Sequence, residues 1–258
     1  MTEPVVILCG GRGTRLQERT RDIPKPLVEI GGMPIVWHVV QLYAHQGFAE
    51  FVLATGYKGE LIEQFAAAAD WPDGVQVRCV DTGLDTPTGG RIAALRDEIG
   101  ERRFCATYAD GVADIDLRET VAFHEGHGGL ATMTVVRPEL QFGVAEMDGD
   151  GRVLGFHEKP RAEHWINGGF FVFEPGVLGY LEPDSVLERA PLESLAAAGE
   201  LRAFRHEGFW DCMDTYKDAV LLNDLWANGE APWKRMWDLD GPEGRRLSQE
   251  RRPEGGKG

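Results

Sequence analysis

No apolar run in the sequence approaches the ~20 residues needed to cross a bilayer; even Ile35 to Val40 stops far short. Cysteine is scarce. Cys9, Cys79, Cys105 and Cys212 are widely scattered and never form a CxxC pair. That pattern excludes a zinc ribbon and a disulfide framework, and it leaves reduced thiols in a cytoplasmic protein as the expectation. Positive charge is also in deficit, with 27 Lys and Arg against 42 Asp and Glu and a net charge of −15. Nucleic acid is therefore a poor partner. The first residues, Met1 to Pro4, carry no basic stretch or small-residue cleavage site, so no secretory leader is expected.

Against these absences, 43% of the residues are hydrophobic, enough to bury a sizeable core in one α/β domain. The buried-strand run Val5–Leu8 ends in glycines, and Phe51–Ala54, Val75–Val80 and Phe104–Tyr108 read as further strands. Helices are expected between them, from Pro34 to Gln46, Glu60 to Ala69, Arg91 to Ile99 and Glu119 to His127. Alternation of this kind implies a mostly parallel sheet flanked by helices, a Rossmann-like mixed arrangement. After Gly128 the rhythm turns β-rich: 131–136, 143–147, 153–157 and 168–173 are strand-like, as a sheet continuation or a small antiparallel lobe. Asp148-Gly149-Asp150-Gly151 reads as a hairpin turn there. Leu187–Ala198 and Thr215–Asn228 are closing helices. Residues 1–239 are thus expected to form one domain, with parts at about 1–128 and 129–239. The charged, glycine-rich 240–258 is expected to be a disordered tail.

The basic charge is local. Arg12, Arg15, Arg19, Arg21 and Lys25 outnumber the acids in the first twenty-six residues. The first strand empties into Gly10-Gly11-Arg12-Gly13-Thr14-Arg15. Its glycines allow close backbone approach, so successive N–H groups can face phosphate oxygens, and Arg12 and Arg15 add charged donors. Neither the dinucleotide fingerprint nor the P-loop pattern fits, and alone the cluster serves equally as a flexible turn. Pro24-Lys25-Pro26 tips the balance. Two prolines hold one ammonium near that loop, as a developing charge on a phosphoryl group requires. Asp110 follows an apolar strand, where an open α/β sheet presents its ligands, although it could also cap a turn before Gly111.

The run GGRGTRL followed by KPLVEIGGMPIVWH resembles the N-terminal signature of sugar-phosphate nucleotidylyltransferases, and more narrowly the glucose-1-phosphate cytidylyltransferase family. Matching segments continue in order through Gly56-Tyr57-Lys58-Gly59, Val80-Asp81-Thr82-Gly83, Thr88-Gly89-Gly90-Arg91, Ala109-Asp110-Gly111, Glu158-Lys159-Pro160, Asn167-Gly168-Gly169, Phe209-Trp210 and Met213-Asp214-Thr215. The resemblance implies a nucleotidyltransferase fold whose first part binds nucleotide and whose second binds sugar. It implies transfer of a cytidylyl group from CTP to α-D-glucose 1-phosphate, with Mg²⁺ as cofactor. Lys25 and Arg15 would be catalytic. Gly10, Gly11, Arg12, Gly13, Thr14, Arg15, Thr82, Gly89, Gly90, Arg91 and Asp110 would hold the nucleotide. Asp110 and Asp214 would hold the metal, and Glu158, Lys159 and Asn167 the sugar phosphate. Arg91 is the residue that favours cytidine over other bases. On the residues alone, another sugar phosphate, a phosphonate, another base or a silent binding module stays open, and Glu-Lys-Pro is a common solvated sequence. Only twenty residues separate Gly59 from Val80, fewer than the family's usual segment, which puts its homo-oligomer in question.

Overall fold

The computed structural model describes residues 3–13 and 22–238. In chain order its elements are β1 (Val5–Leu8), a 3₁₀ turn (Lys25–Leu27), β2 (Glu29–Ile30), β3 (Met33–Pro34), α1 (Ile35–Ala44), β4 (Glu50–Thr55), α2 (Gly59–Ala68), β5 (Gln76–Asp81), α3 (Thr88–Ala94), α4 (Arg96–Ile99), β6 (Phe104–Tyr108), β7 (Gly111–Ala113) and α5 (Leu117–His127). There follow β8 (Ala131–Val136), β9 (Val144–Met147), β10 (Val153–His157), β11 (Ile166–Phe173), a 3₁₀ helix (Pro175–Tyr180), α6 (Ala190–Ala197), β12 (Leu201–Arg205), β13 (Trp210–Cys212), α7 (Tyr216–Ala227) and a last 3₁₀ helix (Pro232–Asp238). The expected tail lies outside the described residues.

A seven-stranded sheet runs β12-β8-β11-β6-β1-β4-β5. β1 pairs in parallel with β4 and β6, and β5 with β4. β11 alone runs against its neighbours, antiparallel to both β6 and β8. The strand period of two sorts the apolar residues between the faces. Val5 and Ile7 join the core under α1 and α2, whereas Val6 joins the core that includes Ile92, Leu95 and Leu195. The expected mostly parallel, helix-flanked sheet is the one observed. Among the described residues, no helix is long and apolar enough to cross a membrane.

Past Gly128, whose φ of +65° closes α5 in the left-handed region, both expected outcomes occur. β8, β11 and β12 extend the sheet, while β9 and β10 form a separate two-stranded hairpin. At its turn Asp148 accepts from the N–H groups of Asp150 and Arg152.

Three expectations are corrected. The first long helix stops at Ala44 rather than Gln46, and the expected helix 91–99 begins earlier, at Thr88, and breaks after Ala94. α6 begins at Ala190, not Leu187, because residues 185–187 are tied to α3: Gly90 N–H donates to Ser185 O and Leu187 N–H to Thr88 Oγ1. β12 was not foreseen; its Leu-Arg-Ala-Phe-Arg pattern is mostly exposed and lacks a clean apolar face.

Candidate active site

At the carboxyl ends of β1 and β6 lies a cavity of about 450 Å³, lined by Gly10, Gly11, Gly13, Lys25, Arg91, Asp110 and Asp214 among others. This is the edge at which a parallel sheet holds ligands. Three separate devices bring its charged groups together. Pro24 and Pro26 fix the 3₁₀ turn that carries Lys25, and Val28 N–H closes it on Lys25 O. β7 pairs antiparallel with β13, and Met213 N–H donates to Asp110 O, so Asp110 and Asp214 share one end of a miniature sheet. Finally, a capping box starts α7. Thr215 accepts from Asp218 N–H, and Asp218 Oδ2 accepts from the N–H groups of Asp214 (3.1 Å) and Thr215 (2.7 Å).

The result is an ammonium between two carboxylates. Lys25 Nζ lies 2.5 Å from Asp110 Oδ2 and 2.6 Å from Asp214 Oδ1, with its side chain only 14% exposed. Burial opposes the charge on Lys25, but the attraction of Asp110 and the bonds to both carboxylates outweigh it and hold the amine above its ordinary pKa. The neighbouring carboxyl of Asp211 behaves in the opposite way. Burial pushes it up to about 6, against a bond from Cys212 N–H and with help from the charge of Asp218. Burial, followed by Asp110 and Asp214, pushes the Cys212 thiol up to about 12, so this cysteine stays protonated and inert.

The residues fit a divalent cation. Two carboxylate oxygens already converge on one positive centre, so the ammonium marks a place where positive charge is stabilised. Among the described residues no group of three or more His, Cys, Asp and Glu could hold a metal. Two carboxylates suit Mg²⁺, which keeps several waters and shares phosphate oxygens instead of entering an all-protein cage.

Arg91 is the most constrained residue of the cavity. Nη1 donates to Thr55 O (2.8 Å), Thr82 Oγ1 (2.7 Å) and Gly83 O (2.8 Å), and Nη2 to Gly10 O (3.0 Å). The residue is 4% exposed. Burial lowers its pKa while Asp81 and Asp85 counter the shift. A Cβ at Gly10 would overlap the guanidinium, and one at Gly56 would crowd Nη1. The glycines at these two strand ends therefore make room for the arginine as well as for any ligand. Burial pushes the Cys9 thiol, next to this spot, far above its ordinary value.

The other sequence-predicted residues are spread through and around the site. Thr82 is buried behind Arg91, its hydroxyl donating to Thr55 O. Gly89 and Gly90 press against the backbone at 183–187, where Cβ atoms would clash, and neither lines the cavity. Arg12 is at the rim, paired with Asp85 (2.8 Å) and placed over the Tyr57 ring. Glu158 and Lys159 are exposed just past β10, Lys159 with a strained φ of +45°. Asn167, half-buried at the start of β11, donates to Tyr108 OH (3.0 Å). Thr14 and Arg15 lie outside the described residues. Sequence reasoning missed Thr88, Tyr108 and Glu188, whose bonds to one another span up to 100 residues and leave no local mark.

The family model for nucleotidyl transferases matches residues 4–207. The chain is 41% identical over 253 residues to the Bacillus subtilis (strain 168) protein named "Probable glucose-1-phosphate cytidylyltransferase", covering 90% of this chain and 99% of that one. It is also 41% identical over 260 residues to the glucose-1-phosphate cytidylyltransferase of Salmonella typhi, with the same coverage. Among solved structures it is similar to HddC from Yersinia pseudotuberculosis, with a TM-score of 0.69, 23% identity, and coverage of 87% of this chain and 100% of that one.

Proposed function

Because the chain belongs to the nucleotidyl transferase family, we propose that it transfers a cytidylyl group from CTP to α-D-glucose 1-phosphate, giving CDP-glucose and pyrophosphate. The observation that carries this reading is the Lys25–Asp110–Asp214 cluster at the mouth of the glycine loop, in a chain 41% identical along nearly its whole length to two proteins named for that reaction.

The triphosphate lies along Gly10, Gly11 and Gly13, whose N–H groups face its oxygens. Arg12 and, three residues further on, Arg15 add charge at the β- and γ-phosphates. A phosphate oxygen of the sugar phosphate attacks the α-phosphorus in line, the bond to the bridging oxygen breaks, and pyrophosphate leaves with that electron pair. No covalent protein intermediate is needed. Lys25 stabilises the charge that spreads over the transferring group, and the two prolines hold it in place beforehand. Asp110 and Asp214 would hold a divalent cation, Mg²⁺ in this reading, which when bound neutralises phosphate charge.

Base choice follows from Arg91. Its donors are committed to the ends of β1, β4 and β5, so it fixes the shape of the loops that frame the base. Glu158, Lys159 and Asn167 form the sugar side, with Glu158 directed at hydroxyls and Lys159 at the phosphate. A panel of CTP, UTP, dTTP, ATP and GTP against several sugar phosphates, followed by pyrophosphate release, tests the assignment. Fastest release with CTP and glucose 1-phosphate is expected. Preference for UTP or dTTP would overturn the role of Arg91.

A further inference from the structure

Glu188 lies outside the cavity lining and is solvent-exposed, yet it holds the two walls of the site together. We infer that Glu188 is a positioning residue that sets the sugar-side amide of Asn167 against the nucleotide side, acting through Thr88 and Tyr108. This rests on the reading of the site given above.

The carboxylate is shared between the two walls. Its Oε2 accepts from Thr88 Oγ1 (2.7 Å), at the first residue of α3, and its Oε1 accepts from Tyr108 OH (2.5 Å), at the end of β6. The segment that presents it is pinned, because Leu187 N–H donates to Thr88 Oγ1 (3.0 Å) and Gly90 N–H to Ser185 O (3.0 Å). Gly90 itself is packed so closely on Pro183 O that no side chain fits. Glu188 is therefore held at a defined distance from α3.

Proton bookkeeping extends the chain to the sugar side. A phenol has one hydrogen to give, and Tyr108 gives it to Glu188. Its lone pairs then accept from Asn167 Nδ2 (3.0 Å), while Asn167 Oδ1 accepts from Gly169 N–H (2.9 Å). Both ends of the amide are assigned, so its polarity towards the sugar is fixed. Burial first, then the charge of Glu188 and its bond, push the Tyr108 phenol well above its ordinary pKa, so the donor stays a donor at every working pH. Gly169, with φ +77°, leaves the space that the Tyr108 ring occupies. Without the carboxylate, the Tyr108 hydroxyl is free to turn its hydrogen, including towards the amide, and the acceptor that Glu188 keeps facing Asn167 Nδ2 is no longer fixed.

Glu188→Ala and Tyr108→Phe test this in steady-state kinetics, run on whichever nucleotide–acceptor pair the wild type turns over fastest. Each variant is expected to raise the acceptor KM roughly tenfold, the scale of one hydrogen bond to a charged group, with nucleotide KM and melting temperature held near wild type. The double variant is expected to cost no more than the larger single one, because both break the same link. Glu188→Gln keeps one accepting oxygen and should fall between. An acceptor KM within twofold of wild type in both single variants would overturn the role of Glu188 alone. A parallel rise in nucleotide KM would do the same, by showing a general loosening. Silence of the wild type with every pair would overturn the transferase reading and this role with it.

Discussion

The two sides of the site are built differently. Around the cavity, Arg91 bonds the ends of three strands and Lys25 bridges two carboxylates, so these charged groups are held by partners before any ligand arrives. On the side proposed for the sugar, Glu158 and Lys159 follow a two-stranded hairpin that shows Met147, Val153, Leu154 and Phe156 to solvent, each more than half exposed. A two-stranded hairpin is marginal by itself, so this wall takes its rigidity from what it touches. A prearranged wall suits the polyanion, because dipoles and charges fixed in advance need no reorganisation when charge develops. The open wall would suit the neutral hydroxyls of the proposed sugar substrate, whose recognition is a matter of fit.

Substitutions can break that contrast, beginning with the largest expected effect. Lys25→Ala removes the ammonium that bridges Asp110 and Asp214 and that the proposed reaction uses at the transferring phosphoryl group, and should lower kcat by roughly 10²–10³. Single-turnover rates check it, and near-normal turnover would remove Lys25 from the chemistry. Arg91→Lys replaces a planar fork by a point charge that cannot reach Gly10 O, Thr55 O and Gly83 O together. A fall of about 10–100-fold in kcat/KM for CTP is expected, with weaker discrimination against UTP. If selectivity is untouched, the loops do not read the base.

Asp211→Asn should act on stability. The folded-state pKa of Asp211, about 6, lies above its ordinary 3.8, so its ionisation carries a stability cost, absent below the ordinary value and fully present above 6. The variant should gain roughly 1–3 kcal/mol near pH 7.5 without divalent cations, and the gain should vanish by about pH 4. Urea unfolding at the two pH values decides it; a gain that does not depend on pH would refute the cause. The smallest effect belongs to the hairpin. Phe156→Ser removes a ring that is 63% exposed and should shift unfolding by no more than ~0.5 kcal/mol. A larger loss would mean that the sugar wall is held as firmly as the other.

These contrasts also explain what could be read from the sequence. Gly10–Gly13, Lys25 and Asp110 were legible because their chemistry is written locally, as glycines after a buried strand, a lysine between prolines and a carboxylate at a strand end. Asp214 needed the resemblance, since what holds it beside Asp110 is the pairing of β13 with β7 and the capping box of α7, neither of which is written in the residues next to it. Arg91 was legible as a residue but not in its role, because its acceptors are backbone carbonyls that every residue possesses. Glu188 gave no signal. An exposed glutamate ahead of a helix is ordinary, and its partners lie 80 and 100 residues away. The helix expected from Leu187 begins at Ala190 for the same reason: long-range bonds to α3 claim the intervening backbone.

The pairing of β7 with β13 also has a meaning in time. Lys25 and Asp214 are 189 residues apart, and at ~5–20 residues per second about 10–40 s of synthesis separate them. During that interval the glycine loop and the parallel strands can fold, but the second carboxylate has not yet been made. The growing chain thus acquires its glycine loop early and its full charge cluster late. The cluster is complete only with the closing of β13 on β7, when the last strand seats Asp214 beside a lysine made long before.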